Sequence, residues 1–425
     1  MQRRDFMIGA ALGAISAALP IRAEEGNTMP KTLNPDAVAK VDAAMQKIVT
    51  DGKVPGVTWL LAKGDDVASG SAGTFELGGA GAPMARDTIF RIASVTKPIT
   101  AAAMMLLVED GKIDLDAPVD TYLPELKDRK VLTAIDAPLD STVPAERPIL
   151  VRDLLTFTLG FGILFDPALP IQQALVENQM TNDYPLPLTP HDPDEWLRRF
   201  AALPLMAQPG ATWMYNTGAL LQGVLIHRVT GQVLDDFFRT RIFEPLGMTD
   251  TGFWVPADKL HRLPAYYGAN WETGEVRLED PAEGAWSSQQ PFPSPAAGIA
   301  STVDDMLIFA RMLMNKGVHN GSQFLSAASV AEMTRDQLTP AQKDGAGFDP
   351  SFFKTMGWGY GMAVSTAPSP VAPNPGRYGW DGGFGCTWAN DPATGLIGMM
   401  FTQNSAYYAE WPFTAFWEPA NEAAV

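Results

Sequence analysis

A serine and a lysine three residues apart form the strongest chemical signal in the chain. Ser94 and Lys97 open a run that is apolar on nearly every side as far as Asp110. Residues at this spacing share a helix face, so the hydroxyl and the amine can touch. A serine hydroxyl needs a base to become a nucleophile, and burial favours the neutral amine that can serve as one. The helix amino terminus adds N–H groups for a developing oxyanion. The alternative, a capping serine beside a solvated lysine, fits these apolar surroundings poorly.

Helical patterns elsewhere indicate the elements that hold this pair. Apolar spacing predicts helices over residues 36–51, 220–230 and 302–316, in addition to the buried helix over 94–110. Residues 161–209 are rich in proline and poor in periodicity, which predicts loops and short helices that cover a site.

Strand-like segments lie towards both ends of the chain. Residues 57–62 form one such segment, and 357–364, 387–390 and 396–402 form the others. Strands at both ends with helices between them predict an α+β fold. Its sheet is formed from both termini and flanked by helices, and a mainly helical lobe is inserted at about residues 115–290.

The segment around the nucleophile, FRIASVTKPIT at residues 90–100, resembles that of class C β-lactamase-related serine hydrolases. GKIDL at 111–115, EPLGM at 244–248 and STVDDM at 301–306 agree with further landmarks of this family, and the likeness spans about residues 36–405. The family includes family VIII carboxylesterases, DD-peptidases and some acyltransferases. The resemblance implies a β-lactamase/DD-peptidase-like fold with an antiparallel sheet.

The resemblance also implies that Tyr215 is the partner of Lys97. A phenol beside a cationic amine ionises more easily and can relay a proton to a leaving group. The family often has Tyr-x-Asn here, whereas this chain has Tyr215-Asn216-Thr217, with the asparagine one place early. Asn216 is therefore a candidate for a substrate hydrogen bond, and Thr217 is the alternative. A packed core aromatic is the other interpretation of Tyr215.

A glycine-containing strand completes the family pattern. Trp380-Asp381-Gly382-Gly383 resembles its Lys-Thr-Gly or His-Thr-Gly strand. The resemblance implies that the N–H groups of Gly383 and Ser94 form the oxyanion site, which a carbonyl reaches only past small residues. Trp380 and Gly382 are candidate substrate contacts. Trp380 replaces a cation that holds substrate carboxylates, which favours neutral esters over penicillins. A packed tryptophan in a glycine-rich turn is the alternative.

Composition excludes several other classes of protein. The chain has 425 residues, is 46% hydrophobic and 19% charged, and so can bury a sizeable core. A net charge of −17 argues against nucleic acid or an anionic membrane as a partner. The single Cys386 excludes an internal disulfide and is predicted to be a small buried hydrophobe. The histidines are too scattered for a metal site, and no cofactor is expected.

The first residues indicate an export signal. Arg3-Arg4 precede an apolar run at residues 7–21, which predicts a twin-arginine signal peptide over 1–23 and a single two-lobed domain over 24–425. The run is shorter than the roughly 20 residues that span a bilayer, which disfavours an uncleaved anchor. We therefore expect a periplasmic or exported protein with no stable membrane anchor after signal removal.

These features predict an exported serine hydrolase that forms an acyl-enzyme on a small-molecule ester or amide, most simply a carboxylesterase. A β-lactamase, a D-amino-acid peptidase or an acyltransferase of the same fold are alternatives, and a non-catalytic binding or sensor protein is an alternative of another class. A binding protein has no need of Ser94, Lys97, Tyr215, Gly382 and Gly383 together. No G-x-S-x-G motif supports a Ser-His-Asp hydrolase. No pattern indicates an oligomeric state.

Overall fold

The computed structural model describes residues 32–164, 166–180, 186–270, 273–346 and 351–425. The predicted signal peptide lies outside these ranges. The helices are α1 (Pro35–Thr50), α2 (Thr96–Glu109), α3 (Val151–Thr156), α4 (Pro170–Glu177), α5 (Pro193–Ala202), α6 (Thr217–Thr230), α7 (Leu234–Phe238), α8 (Glu244–Leu246), α9 (Val303–Met314), α10 (Ala327–Met333), α11 (Pro340–Asp344) and α12 (Thr414–Glu422). The strands are β1 (Gly56–Lys63), β2 (Asp66–Gly73), β3 (Phe90–Arg91), β4 (Lys130–Leu132), β5 (Thr142–Pro144), β6 (Tyr266–Ala269), β7 (Val276–Asp280), β8 (Ala300–Ser301), β9 (Val318–His319), β10 (Ser322–Gln323), β11 (Met356–Trp358), β12 (Ala363–Ser365), β13 (Tyr378–Gly382), β14 (Cys386–Asp391) and β15 (Leu396–Thr402).

The central sheet joins the two ends of the chain. Its seven strands run in the order β11-β12-β13-β14-β15-β1-β2, and neighbouring strands are antiparallel. The pairing of β1 with β15 extends from Val57 opposite Thr402 to Lys63 opposite Leu396. The predicted α+β fold, with an antiparallel sheet formed from both termini, is confirmed.

Helices cover both faces of this sheet. Every residue of β1 is buried, as expected for a strand with a helical layer on each side. On one face, Trp59 and Leu61 pack with α1 and α12, and on the other face Leu60 and Ala62 belong to the core that includes α2 and α9. The odd and even positions of β1 therefore stabilise two different layers.

Helix α2 is buried from Thr96 to Leu107, which confirms the prediction of a helix enclosed on most sides. It ends at Glu109 with Asp110 as its cap, and Gly111 follows with φ +67°, a left-handed value that glycine adopts without a steric penalty. Helix α6 is capped by Gly231, and α9 begins after a Thr302 cap whose hydroxyl accepts from the Asp305 N–H.

The prediction of one strand over residues 357–364 is wrong. This segment forms a hairpin, β11 and β12, with a turn in which the Gly359 N–H bonds the Met362 carbonyl at 2.9 Å. Gly361 has φ +72°, and a Cβ there would lie 2.7 Å from the Lys97 carbonyl. The strand breaks because the chain must turn against α2 at a point that only glycine can occupy.

Residues between α2 and α9 carry α3 to α8 and two short hairpins joined by long loops, with more residues in helices than in strands. The proline-rich residues 161–209 contain α4 and α5, as predicted. Phe161 and Trp196 pack against Phe200, with ring centroids 5.0 and 5.5 Å away. These aromatics belong to the core. Among the described residues, no helix is long and apolar enough to cross a membrane.

Candidate active site

Ser94 lies in a tight 3-10 turn, Ala93–Val95, between β3 and the first residue of α2. The sequence prediction had placed Ser94 inside the helix, and the structure places it just before. Ala93 has φ 47°, which is strained for a residue with a side chain and recurs at functional sites. Ala93 and Val95 are buried, whereas Ser94 is partly exposed. The turn therefore holds the backbone in the core and leaves the Ser94 hydroxyl accessible.

Lys97 points from the first turn of α2 back towards this hydroxyl. Its side chain is 1% exposed. Its Nζ donates to Ser94 Oγ at 2.9 Å and to the Ala296 carbonyl at 2.9 Å, and it lies 4.6 Å from the ring centroid of Tyr215. The predicted contact between the hydroxyl and the amine is present, and the amine is held away from bulk water.

The carbonyl of Ala296 is a part of the site that sequence reasoning missed. The segment that carries it is bound to α2 by two further hydrogen bonds, from Thr100 Oγ1 to the Pro295 carbonyl at 2.6 Å and from the Ile299 N–H to Thr96 Oγ1 at 3.1 Å. Such close approach of backbone to a helix requires small side chains. The run of small residues ahead of the Ser301 landmark was the signal that could have revealed it.

Tyr215 immediately precedes Asn216, the residue before α6, and its ring lies over the Lys97 amine. Its carbonyl accepts from the Ile163 N–H at 2.9 Å, which fixes the backbone. Four aromatic rings surround the phenol ring with centroids 5.6 to 6.2 Å away, namely Phe157, Trp213, Trp358 and Trp380. The structure thus brings together Ser94, Lys97 and Tyr215, as the sequence predicts.

Trp380 contacts Tyr215 directly. Its indole Nε1–H donates to the Tyr215 phenol oxygen at 2.8 Å, and its side chain is 5% exposed. Its ring lies edge-on to Trp358, with centroids 4.7 Å apart at 89°. At the position where the family resemblance implies a cation, this chain has the neutral indole of Trp380, whose N–H is directed at the Tyr215 phenol. Its predicted contact with substrate stays a prediction.

Gly382 ends β13 directly against the turn that carries the serine. A Cβ at Gly382 would lie 2.5 Å from the Ile92 carbonyl and 3.2 Å from the Ala93 Cβ, so only glycine allows this approach. A Cβ at Gly383 would meet nothing within 4 Å. Across the described ranges, neither the Ser94 N–H nor the Gly383 N–H donates to a protein acceptor. The two groups remain available for the predicted oxyanion role.

Asn216 occupies the position before α6 in an uncommon backbone conformation, with φ 83°. Its carbonyl accepts from the Ala219 N–H at 2.9 Å, which starts the helix. The side chain is 1% exposed, and its Oδ1 has no hydrogen-bond partner within the part of the chain that the structure describes. Its predicted role in substrate binding stays a prediction.

Cys386 lies on β14 with its thiol buried, as predicted. Its Sγ lies 3.7 Å from the Arg91 carbonyl and 3.5 Å from the Thr402 carbonyl, and burial raises the pKa of the thiol well above its usual range. A thiol held in this neutral form is not a nucleophile. Within the described ranges, no group of three or more His, Cys, Asp or Glu side chains is arranged to hold a metal ion.

The fold and the Ser94–Lys97 contact define a serine hydrolase of the β-lactamase fold. The chain belongs to the Beta-lactamase family, whose model matches residues 41–413. It is 38% identical to Protein Rv1367c of Mycobacterium tuberculosis over 331 residues, covering 76% of this chain and 80% of that protein. It is 30% identical to Esterase EstB of Burkholderia gladioli over 389 residues, covering 87% and 91%.

Among solved structures, the chain resembles that of EstCE1, a hydrolase with promiscuous acyltransferase activity. The TM-score is 0.72 at 22% identity, covering 92% of this chain and 99% of the other. At that identity the likeness concerns the fold. The family match and the esterase relative together show that the chain is a serine hydrolase.

Proposed function

We propose that the protein is a carboxylesterase that hydrolyses small neutral esters through an acyl-enzyme on Ser94. The observation that carries this proposal is the contact between Lys97 Nζ and Ser94 Oγ at 2.9 Å, made by an amine that is 1% exposed. Desolvation disfavours an ammonium ion, and a neutral amine accepts the serine proton. The 38%-identical relative carries no activity in its name, whereas the 30%-identical relative is an esterase, which supports this substrate class.

In the proposed reaction, Ser94 Oγ bonds to the ester carbonyl carbon while its proton passes to Lys97 Nζ. The N–H groups of Ser94 and Gly383 stabilise the resulting oxyanion. When the carbon–alkoxide bond breaks, Tyr215 relays the proton from Lys97 to the departing alcohol. Water then attacks the acyl-enzyme by the same route in reverse order, which releases the acid and returns the proton to Ser94.

Trp380 supports the preference for neutral esters. A cation at this position would attract the carboxylate of a penicillin or a peptide, and an indole cannot form such an ion pair. Here the indole N–H is already directed at Tyr215. We therefore expect short-chain p-nitrophenyl esters to be hydrolysed with a higher kcat/KM than nitrocefin. Faster hydrolysis of nitrocefin would contradict the ester assignment.

The test of the mechanism is the activity of three variants on p-nitrophenyl butyrate. We expect Ser94→Ala and Lys97→Ala to lose at least about 1,000-fold in kcat/KM, because each removes one half of the nucleophile and base pair. Tyr215→Phe should lose about 100-fold, the usual contribution of a general acid.

Matched controls separate chemistry from folding. Lys63→Met removes another buried lysine, 4% exposed, whose amine bonds the Ala424 carbonyl. Tyr360→Phe removes another buried phenol, and Ser322→Ala an exposed hydroxyl. All three controls should keep kcat/KM within about threefold. Wild-type rates in Ser94→Ala would disprove the proposed nucleophile.

We also propose that residues 1–23 direct export by the twin-arginine route. The support is Arg3-Arg4 followed by a short apolar run. In a bacterial host that has this route, the wild-type chain should be found in the periplasmic fraction and shortened by about 23 residues. Changing both arginines to lysine should leave the full-length chain in the cytoplasm. Export that survives this change would contradict the proposal.

A further inference from the structure

A cavity lies beside strand β13, lined by Arg377 and Asp381 and also by Trp380 of the candidate active site. Side chains alternate along a strand, so Arg377 and Asp381 lie on the other face of β13 from Trp380 and Gly382. The cavity has a volume of about 310 Å³ and lies between the sheet and the segment that leads into α12. Arg377 stacks on Trp417 of α12, which confirms that it faces this layer.

Small residues on three adjacent strands form the floor of the cavity. Ala363 on β12 lies opposite Gly379 on β13, which in turn lies opposite Ala389 on β14. Trp411 and Trp417 contribute aromatic walls. Side chains normally fill the space above a sheet by close packing. Because these three residues are small and lie in register beneath aromatic side chains, a mainly apolar cavity remains.

Arg377 brings a positive charge to this cavity. It is 7% exposed, and its guanidinium carbon lies 3.8 Å from the ring centroid of Trp417. Among the described residues, no acceptor hydrogen-bonds the guanidinium and no carboxylate forms an ion pair with it. Buried charges in proteins are usually paired, so this one requires an explanation.

Within the part of the chain that the structure describes, two other buried arginines, Arg91 and Arg129, have the hydrogen-bond acceptors that Arg377 lacks. Arg91 donates to Asp280, Gln403 and backbone carbonyls, and Arg129 donates to the carbonyls of Phe200, Ala201 and Leu203. Both satisfy most of their N–H groups within the protein. Of these three arginines, only Arg377 has guanidinium N–H groups that make no hydrogen bond to the described residues and can bind a ligand in the cavity.

Two nearby carboxylates, those of Asp381 and Asp391, interact electrostatically with Arg377, but within the described ranges neither forms a hydrogen bond or an ion pair with it. Asp381 accepts instead from Thr387 Oγ1 at 2.6 Å and from Trp411 Nε1 at 2.8 Å. Burial raises the pKa of Asp381. Burial also lowers the pKa of Arg377 to about 10, and the guanidinium therefore stays cationic at neutral pH.

We propose that this cavity binds a small monocarboxylic acid whose carboxylate pairs with Arg377 and whose apolar body lies between Trp411, Trp417 and the small-residue floor. A guanidinium matches a carboxylate with two parallel N–H···O bonds, and aromatic walls suit a phenyl or short alkyl group. The inference concerns binding alone and does not depend on the chemistry of Ser94.

Calorimetric titration of the whole chain with 3-phenylpropionate tests this proposal. The neutral control is 3-phenylpropanamide, which has nearly the same shape. We expect the acid to bind at least tenfold more tightly than the amide, and Arg377→Gln to abolish that difference. Arg335→Gln, which removes an exposed arginine and the same charge, should leave it unchanged. Equal affinities in the wild type, or no binding of the acid, would overturn the proposal.

Two further variants locate the binding and keep the test decisive if Arg377→Gln does not fold. Ala372→Leu fills the cavity from its wall without removing charge and should weaken the acid at least tenfold. Ser94→Ala alters a residue that does not line the cavity and should leave the affinity unchanged. Loss of binding in Ser94→Ala, or full binding in Ala372→Leu, would place the acid elsewhere and refute the assignment.

Discussion

At the scale of single residues, the phenol of Tyr215 has contacts of two kinds. Its ring lies 4.6 Å from the Lys97 amine, and its oxygen accepts from the Trp380 indole at 2.8 Å. A donor to a phenol oxygen stabilises the phenolate relative to the neutral phenol. In the proposed reaction, Trp380 is thus a positioning residue that orients Tyr215 and favours its proton transfer.

We predict that Trp380→Phe lowers kcat/KM for p-nitrophenyl butyrate about tenfold. The change keeps an aromatic ring and removes one hydrogen bond, which contributes about 1 kcal/mol. Trp358→Phe is the matched control, because it packs against the same phenol while its Nε1 makes no hydrogen bond within the described residues. Steady-state kinetics on both variants checks the prediction, and equal losses would show that packing alone matters.

Residue types at short spacing were readable from the sequence, whereas long-range partners were not. Ser94 and Lys97 are only three residues apart, across the turn that leads into α2, so their contact follows from local geometry. Trp380 and Tyr215 are 165 positions apart, and only the folded sheet shows which atom of the indole meets the phenol. The absence of a hydrogen-bond acceptor for Arg377 among the described residues could not be predicted either, because no local sequence pattern indicates that an arginine will lack a partner in the folded chain.

At the scale of elements, strand β13 determines the shape of the proposed oxyanion site. Its last residue, Gly382, lies against the Ile92 carbonyl, and the next residue, Gly383, faces open space. Two adjacent glycines therefore have different structural requirements. The first permits close packing of strand against turn, and the second supplies an accessible N–H.

We predict that Gly382→Ala lowers kcat/KM roughly 100-fold, because a Cβ 2.5 Å from backbone must move β13 away from Ser94, and small displacements of catalytic groups have effects of this size. Gly383→Ala has room for its Cβ, keeps its N–H and should lose less than about tenfold. The measurement is steady-state kinetics with circular dichroism as a check of folding. Greater loss in Gly383→Ala would contradict this division of roles.

Helices were predicted better than strands, for a physical reason. Apolar periodicity located α2, α6 and α9 to within about three residues, because a buried helix repeats its pattern over many turns. The hairpin of β11 and β12 was taken for one strand, since its segments are short and its turn glycines are required by distant contacts. Gly359 lies against the Met333 carbonyl of α10, and Gly361 lies against α2. Tertiary packing, which the local sequence does not encode, set that boundary.

At the scale of the whole molecule, a buried ion pair ties distant parts of the chain together. Arg91, on the strand before the nucleophile, donates to Asp280 at the end of β7, at 2.5 Å, and the two side chains are 0% and 3% exposed. Removing one member of a buried pair leaves the other charge without compensation. The pair therefore holds the region around β7 against the base of the active site.

We predict that Asp280→Asn lowers the free energy of unfolding by about 3 kcal/mol. Asp304→Asn breaks the exposed pair with Arg86, whose members are 49% and 47% exposed, and should cost no more than about 1 kcal/mol. Urea denaturation followed by tryptophan fluorescence measures both values. Equal losses in the two variants would show that burial of the Arg91 pair adds no stability.

Pairing of β1 with β15 has a consequence for how the protein is made. Strand β1 is mostly apolar and buried at every position, yet one of its two neighbours, β15, follows more than 300 residues later. While the ribosome is still translating, that edge stays open and is prone to aggregation. The sheet can close only after β15 has been synthesised, so the chain must be protected until then, and a translocation system that accepts folded cargo would suit it.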